Sequence, residues 1–205
     1  AVNVVSPVHV QAVTTISQVG ADIDGEASNN ASGSAVAISL DGNIVAIGAP
    51  VNSDNGNSSG QVRVYQYSSN AWTKIGADID GESSNDNSGE AVAISSDGTV
   101  VAIGAPQNSN GNGNGSGQVR VYKNIGGTWT KLGADIDGEA AGDNSGRSVA
   151  MSGDGSRIAI GAPYNDGTDG NGSYTGHVRI YTEPTLRARM RTAGLKPGAA
   201  HHAHA

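Results

Sequence analysis

The chain has 205 residues with 31 glycines, no cysteine and only 15% charged side chains. The lack of cysteine excludes a disulfide framework, thiolate metal sites and cysteine nucleophiles, and no stretch approaches the roughly 18 apolar residues of a membrane span. The formal net charge of −7 is uneven, with 8 basic against 18 acidic residues in 1–182 and 4 against 1 in 183–205. An acidic body speaks against nucleic acid and against anionic membrane surfaces as partners. Phe is absent while Val, Ile and Ala recur regularly, a profile of short strands and glycine-rich turns. The first residue is Ala1 rather than Met, which fits a processed or excised product from which any signal peptide is gone.

In chain order, the first readable element is a strand over Thr15 to Gly20. It runs into Gly-Ala-Asp-Ile-Asp-Gly-Glu at 20–26, a heptapeptide that returns at 76–82 and 133–139. Gly-Ala-Pro likewise opens at Gly48, Gly104 and Gly161, so the period is 56 to 57 residues. Self-similarity on that scale signals a repeat architecture, in which each unit buries its apolar face only by stacking on its neighbours. The units run over about 14–70, 71–127 and 128–182.

The heptapeptide admits two readings. If extended, Asp22, Asp24 and Glu26 share one face, as do Asp78, Asp80 and Glu82, and Asp135, Asp137 and Glu139. Three neighbouring carboxylates repel unless solvated or bridged, and Ca2+, which takes six to eight oxygens, suits such a set. Alternatively the segment is an exposed turn, in which Asp-Gly sets the geometry and Asp side chains cap backbone N–H groups.

The middle unit shows the plan. Glu90 to Ser95 is a strand with Val92 and Ile94 on one face and Ala91 and Ala93 on the other, as expected of a strand covered on both sides. Ser96-Asp97-Gly98 is a tight hairpin turn. Thr99 to Ile103 is a second strand, and Gly104-Ala105-Pro106 ends it because Pro lacks the N–H for the ladder. Gln118 to Tyr122 alternates, Val119 and Val121 against Arg120 and Tyr122, which predicts one wet face. Thr128 to Leu132 is a half-exposed fourth strand. Four antiparallel strands per unit, buried first and polar last, describe a propeller blade read from inner to outer edge.

The loops after Gly-Ala-Pro are rich in Asn, Gly, Ser and Asp. On a rigid scaffold such loops usually carry binding, which nominates Asn52 and Asp54, Asn108 and Asn110, and Asn165, Asp166 and Asp169. Asn57, Asn114 and Asn171 head Asn-X-Ser sequons at equivalent places, and Asn30 heads a fourth; in a eukaryotic secretory pathway these are glycan acceptors. Trp72 and Trp129 occupy equivalent sites in the fourth strand, as packing between blades or as a platform for sugar stacking. Gly56 to Gly60 matches the nucleophile-elbow pattern, but no helix follows it. No hydrolytic triad finds its members.

The third unit carries the fullest motif: Gly146-Arg147-Ser148-Val149-Ala150, Gly161-Ala162-Pro163, then Gly176-His177-Val178-Arg179-Ile180-Tyr181. It resembles the FG-GAP repeat of propellers of the integrin α-subunit type, and the resemblance extends over about 14–182. It implies an all-β fold of propeller-type blades and extracellular binding. Two departures stand out. Ser32, Ser88 and Ser145 replace the Phe of the family's Phe-Gly, and the calcium loop between the first two strands is cut to Ser39-Leu40-Asp41-Gly42 and its copies.

The chain thus leads with a fourth strand and its third unit ends after a third one. Three blades are below the usual four to eight, so the expected forms are part of a longer propeller, a head-to-tail dimer of six blades, or an open stack. The tail 183–205, with Arg187, Arg189, Arg191, Lys196, His201, His202 and His204, reads as disordered or non-native. The function expected is a secreted or cell-surface, non-catalytic binding or adhesion module for a protein or glycan. The alternatives are a structural subunit pairing through open sheet edges and an accessory module of a secreted hydrolase.

Overall fold

The computed structural model describes residues 15–167 and 174–182. The tail 183–205, Asp169 and Asn171 lie outside the described residues.

Each unit folds into one antiparallel sheet, and the three sheets stack. The first holds β1 (Ala35–Ile38), β2 (Ile44–Ala49), β3 (Gln61–Ser68), β4 (Ala71–Lys74) and β5 (Ile79–Asp80). The second repeats it with β6 (Ala91–Ile94), β7 (Val100–Ala105), β8 (Gln118–Ile125), β9 (Thr128–Lys131) and β10 (Ile136–Asp137). The third comprises β11 (Ser148–Met151), β12 (Arg157–Ala162) and β13 (His177–Thr182). The fold is all-β, with propeller-type blades, and no helix occurs among the described residues.

The predicted hairpin turns form for a local reason. Gly98 sits at φ +70°, where a side chain would be strained. Asp97 Oδ1 accepts from Ser95 Oγ at 2.6 Å and from the Thr99 N–H at 3.0 Å, locking the turn. β7 pairs with β6 on one side (Val92↔Ile103) and with β8 on the other (Ile103↔Arg120), and it ends at Ala105, before Pro106.

Two expectations about strands need correction. The heptapeptide is neither one continuous strand nor a simple turn. After β4 pairs with the far half of β3 (Tyr65↔Lys74), the chain kinks at Gly76 (φ +71°). Ile79 and Asp80 then return to the near half of β3 (Val62↔Ile79, Gln61↔Asp80). The outer strand is therefore bulged, and β10 repeats this on β8. Thr15 to Gly20 forms no strand, because no sheet adjoins it among the described residues and an isolated extended segment has no ladder to join.

The core lies between blades rather than within them. The face of blade 1 that looks toward blade 2 contributes Ala46, Val62, Val64 and Ile79, which meet Val92, Val101 and Ile103 of blade 2. The opposite face of blade 2, with Val100, Ala102, Val119 and Val121, meets Ile158 and Ile160 of blade 3. This is why both faces of β6 and β7 are apolar. It also overturns the wet face predicted for β8: Arg120 is only 4% exposed, and Tyr122 packs against the first core.

Candidate binding clefts at the blade junctions

What buries an arginine between blades is a set of partners assembled from three places in the chain. Arg120 lies over the ring of Tyr122 at 5.7 Å and donates to the Tyr122 hydroxyl at 2.9 Å. It also donates to the Asp80 carbonyl of the preceding blade at 2.8 Å and to Ser88 Oγ at 3.2 Å. Glu82 Oε1 stands 3.5 Å from Nη1. Arg63 repeats this with Tyr65, the Asp24 carbonyl, Ser32 and Glu26. Arg179 repeats it with Tyr181, the Asp137 carbonyl and Glu139. Burying a guanidinium is costly unless its donors are satisfied. Here carbonyl and hydroxyl acceptors take the terminal Nη donors at the seam between blades, while the buried Nε of Arg120 and of Arg179 is left without a partner. Ser32 and Ser88, standing where the FG-GAP pattern has Phe, are among those acceptors.

The heptapeptide carboxylates are thereby dispersed. Asp78 accepts from Lys74 Nζ at 2.8 and 3.0 Å, and Asp135 from Lys131 at 2.8 and 3.1 Å. These hydrogen bonds hold both lysines above the ordinary lysine pKa. Asp80 Oδ1 accepts from Gln61 Nε2, and Asp137 Oδ1 from Gln118 Nε2. Glu82 and Glu139 turn to arginines of the next blade. In the first copy Gln18 stands in for the lysine and donates to Asp22 at 2.8 Å. The expected shared face is thus not assembled: among the described residues no three His, Cys, Asp or Glu side chains are grouped to hold a metal ion. The short turns do not fit a calcium loop either, since Asp41 Oδ1 already accepts from Ser39 Oγ and the Asn43 N–H.

The loops after Gly-Ala-Pro also turn much of their chemistry inward. Asn52, Asn108 and Asn165 are buried. Asn108 Nδ2 donates to Asp86 at 3.0 Å and Asn165 Nδ2 to Asp143 at 2.8 Å, while Asn52 Nδ2 donates to Asp54. Asn110 Nδ2 closes its own loop on the Gly117 carbonyl. These side chains hold loops to scaffold, which corrects their nomination as outward ligand contacts; Asp54 and Asp166 remain exposed. Of the sequon asparagines, Asn57 and Asn114 are exposed and Asn30 is half-buried.

Concavities form instead at the outer edge in two places, where residues 21–24 lie against blade 1 and at the junction of blades 1 and 2. One, about 270 Å³, is lined by Asp22, Ile23, Asp24, Tyr65, Asn70 and Trp72. Its counterpart, about 260 Å³, is lined by Asp78, Ile79, Asp80, Tyr122, Thr128 and Trp129. The indole N–H of Trp129 donates to the Ile75 carbonyl across the junction at 2.8 Å, and that of Trp72 to Val19 at 2.9 Å. Each ring is therefore fixed as one wall of a cleft, and burial raises the pKa of the Tyr122 hydroxyl. Alternation in the sequence gives no sign of these clefts, because their walls come from two consecutive units.

Comparison with known proteins bears on this arrangement. No curated protein matches the sequence significantly. Among solved structures the chain is similar to Kuenenia stuttgartiensis hydrazine synthase, at TM-score 0.48 and 10% identity over 80% of this chain and 36% of that one. It is also similar to the Pseudomonas aeruginosa periplasmic gluconolactonase PpgL, at TM-score 0.48 and 13% identity over 80% of this chain and 41% of that one. The chain therefore spans well under half the length of either. Residues 130–181 match the FG-GAP repeat family, a span that opens in the outer strand β9 and closes in β13, the frame in which strand four leads and strand three ends. Residues 130–181 thus carry an FG-GAP-type repeat, in a chain built of β-propeller-type blades in which the same arginine contacts recur from seam to seam.

Proposed function

We propose that the chain is an extracellular, non-catalytic binding module that takes a glycan in the clefts beside its outer strands. The observation that carries this is the recurrence of one cleft, with a Trp, a Tyr and two Asp side chains, once where residues 21–24 lie against blade 1 and once at the junction of blades 1 and 2. A sugar presents an apolar C–H face and a fringe of hydroxyls. Trp and Tyr offer a large surface with little conformational entropy to lose, and carboxylates accept hydroxyl hydrogen bonds of the charge-assisted kind. Two like sites on one rigid stack suit a repetitive ligand, because a chain held in the first cleft has a raised effective concentration at the second. The extracellular setting rests on the FG-GAP pattern. A glycan array screened with the intact chain tests the reading, followed by titration of the best ligand. Trp129→Ala is expected to weaken binding about tenfold, a loss of about 1.4 kcal/mol, with the fold retained by circular dichroism. Absence of binding across the array, or affinity indifferent to Trp129→Ala and Trp72→Ala together, overturns it.

A further inference from the structure

The two end faces of the stack are complementary halves of a junction the molecule already makes twice. Within the chain, the forward face of one blade packs on the rear face of the next. No blade covers the rear face of blade 1 among the described residues, and Val36 is 65% and Ile38 60% exposed there. The forward face of blade 3 leaves Val178 68% and Ile180 70% exposed. Their counterparts in blade 2, Val92 on the rear face and Val119 and Val121 on the forward face, are buried. A large apolar patch open to water commonly marks an interaction surface.

Polar details of the junction point the same way. Leu40 N–H donates to the Ser96 carbonyl at 3.0 Å, and Ser96 N–H to the Gly153 carbonyl at 2.8 Å. Leu40, Ser96 and Gly153 are equivalent positions, so the Gly153 N–H at one end and the Leu40 carbonyl at the other are the next donor and acceptor of that series. Gly48 and Gly104 each lie against a backbone carbonyl of the next blade, Gly89 and Gly146 respectively, where a side chain has no room. Gly161 is their equivalent, yet its only close neighbour is the Ser148 side chain. Gly33, the equivalent of Gly89 and Gly146, has no atom within 4 Å of where its Cβ would stand.

Among the described residues blade 3 has no outer strand, and a segment matching that place exists elsewhere in the chain. Residues 19–26 sit on the rear of blade 1 as 75–82 sit on the rear of blade 2. Trp72 donates to the Val19 carbonyl as Trp129 does to that of Ile75. Arg63 donates to the Asp24 carbonyl as Arg120 does to that of Asp80. The segment therefore already occupies the place of the outer strand of a preceding blade.

We propose that two copies of the chain join head to tail into a six-bladed ring. The forward face of blade 3 of each copy packs on the rear face of blade 1 of the other, and residues 15–24 complete the third blade of the partner copy. The register follows from β5 on β3 and β10 on β8: Ile23 lies opposite Val178, and Asp24 opposite His177. Six blades fall within the range in which such rings close, and a heterologous contact that closes stops at a finite assembly.

Sedimentation and light scattering of the 205-residue chain test this. The expected species has twice the 20.5 kDa monomer mass. A rear-face variant, Val36→Asp with Ile38→Asp, and a forward-face variant, Val178→Asp with Ile180→Asp, are each expected to be folded monomers. Mixed in equal amounts they are expected to form a heterodimer, since one intact forward face then meets one intact rear face. Circular dichroism and thermal melts at low concentration establish that each variant folds. A wild-type monomer at about 100 μM, the outcome if a further unit of a longer chain covers these faces, overturns the proposal. So do polymers of growing length, a variant that still dimerises alone, and folded variants that fail to associate when mixed.

Discussion

Gly104→Ala isolates the contribution of close backbone approach between blades. Gly104 lies within β7 and is not among the positive-φ glycines, so alanine is compatible with its own backbone. The obstacle is external: the new methyl would overlap the carbonyl oxygen of Gly146 and stand 3.0 Å from its carbon. Both partners are backbone in stacked sheets, so relief requires the blades to separate by about an ångström at the centre of the core formed by Val119, Val121, Ile158 and Ile160. Overpacking of this kind costs about 1–3 kcal/mol, and the upper end applies because no side chain can rotate away. For a domain of this size about 3 kcal/mol lowers Tm by roughly 6–12 °C. The control is Gly161→Ala, with both substitutions placed in the Val178→Asp, Ile180→Asp background so that the outer face of blade 3 stays uncovered. There the methyl meets only a Ser148 hydroxyl that can turn aside. Restricting the unfolded chain then leaves the change between neutral and about 1 kcal/mol stabilising. Urea unfolding followed by far-ultraviolet circular dichroism measures both. A difference below about 1 kcal/mol between the two substitutions would refute close approach as the reason for glycine at this position.

Two further outcomes are expected. Calcium at about 10 mM should leave Tm unchanged, whereas a native site with a Kd near 1 mM would add about 1.4 kcal/mol and several degrees; such a rise would show that the heptapeptide carboxylates leave Lys74, Lys131 and the arginines to bind the ion. Acid should expose the hairpin turns. Hydrogen bonds from Ser39 to Asp41 and from Ser152 to Asp154 lower both carboxyl pKa values, while at Asp97 burial acts to raise the pKa and bonds from Ser95 and Thr99 outweigh it. A carboxyl depressed in the folded state stabilises above its unfolded pKa of about 3.9 and loses that contribution as pH falls through the folded value. Stability should therefore decline below about pH 4, and the triple substitution Asp41→Asn, Asp97→Asn, Asp154→Asn should flatten that limb. An acid titration unchanged by the triple substitution would dissociate the turns from the decline.

Much of the scaffold was legible in sequence because it is set by short-range rules. Period-two alternation in Ala91–Ile94 and Val100–Ala105, a glycine at positive φ after Asp97, and Pro106 at the ladder's end each act within a few residues. The period of 56 to 57 residues determined by itself that these pieces recur and must stack. What lay beyond was decided by partners far apart in the chain. Arg120 reads as a solvent-facing residue until the Asp80 carbonyl, 40 positions earlier, is brought against it. Asn108 reads as a loop contact until Asp86 of the blade junction claims its amide. The heptapeptide reads as a cation cluster until Lys74, Gln61 and Arg120 each draw one carboxylate away. A sequence specifies which side chains carry charge and donors at every position. Whether a charge faces water or a carbonyl depends on which backbone the stacking of blades places opposite it, and only the tertiary structure decides that.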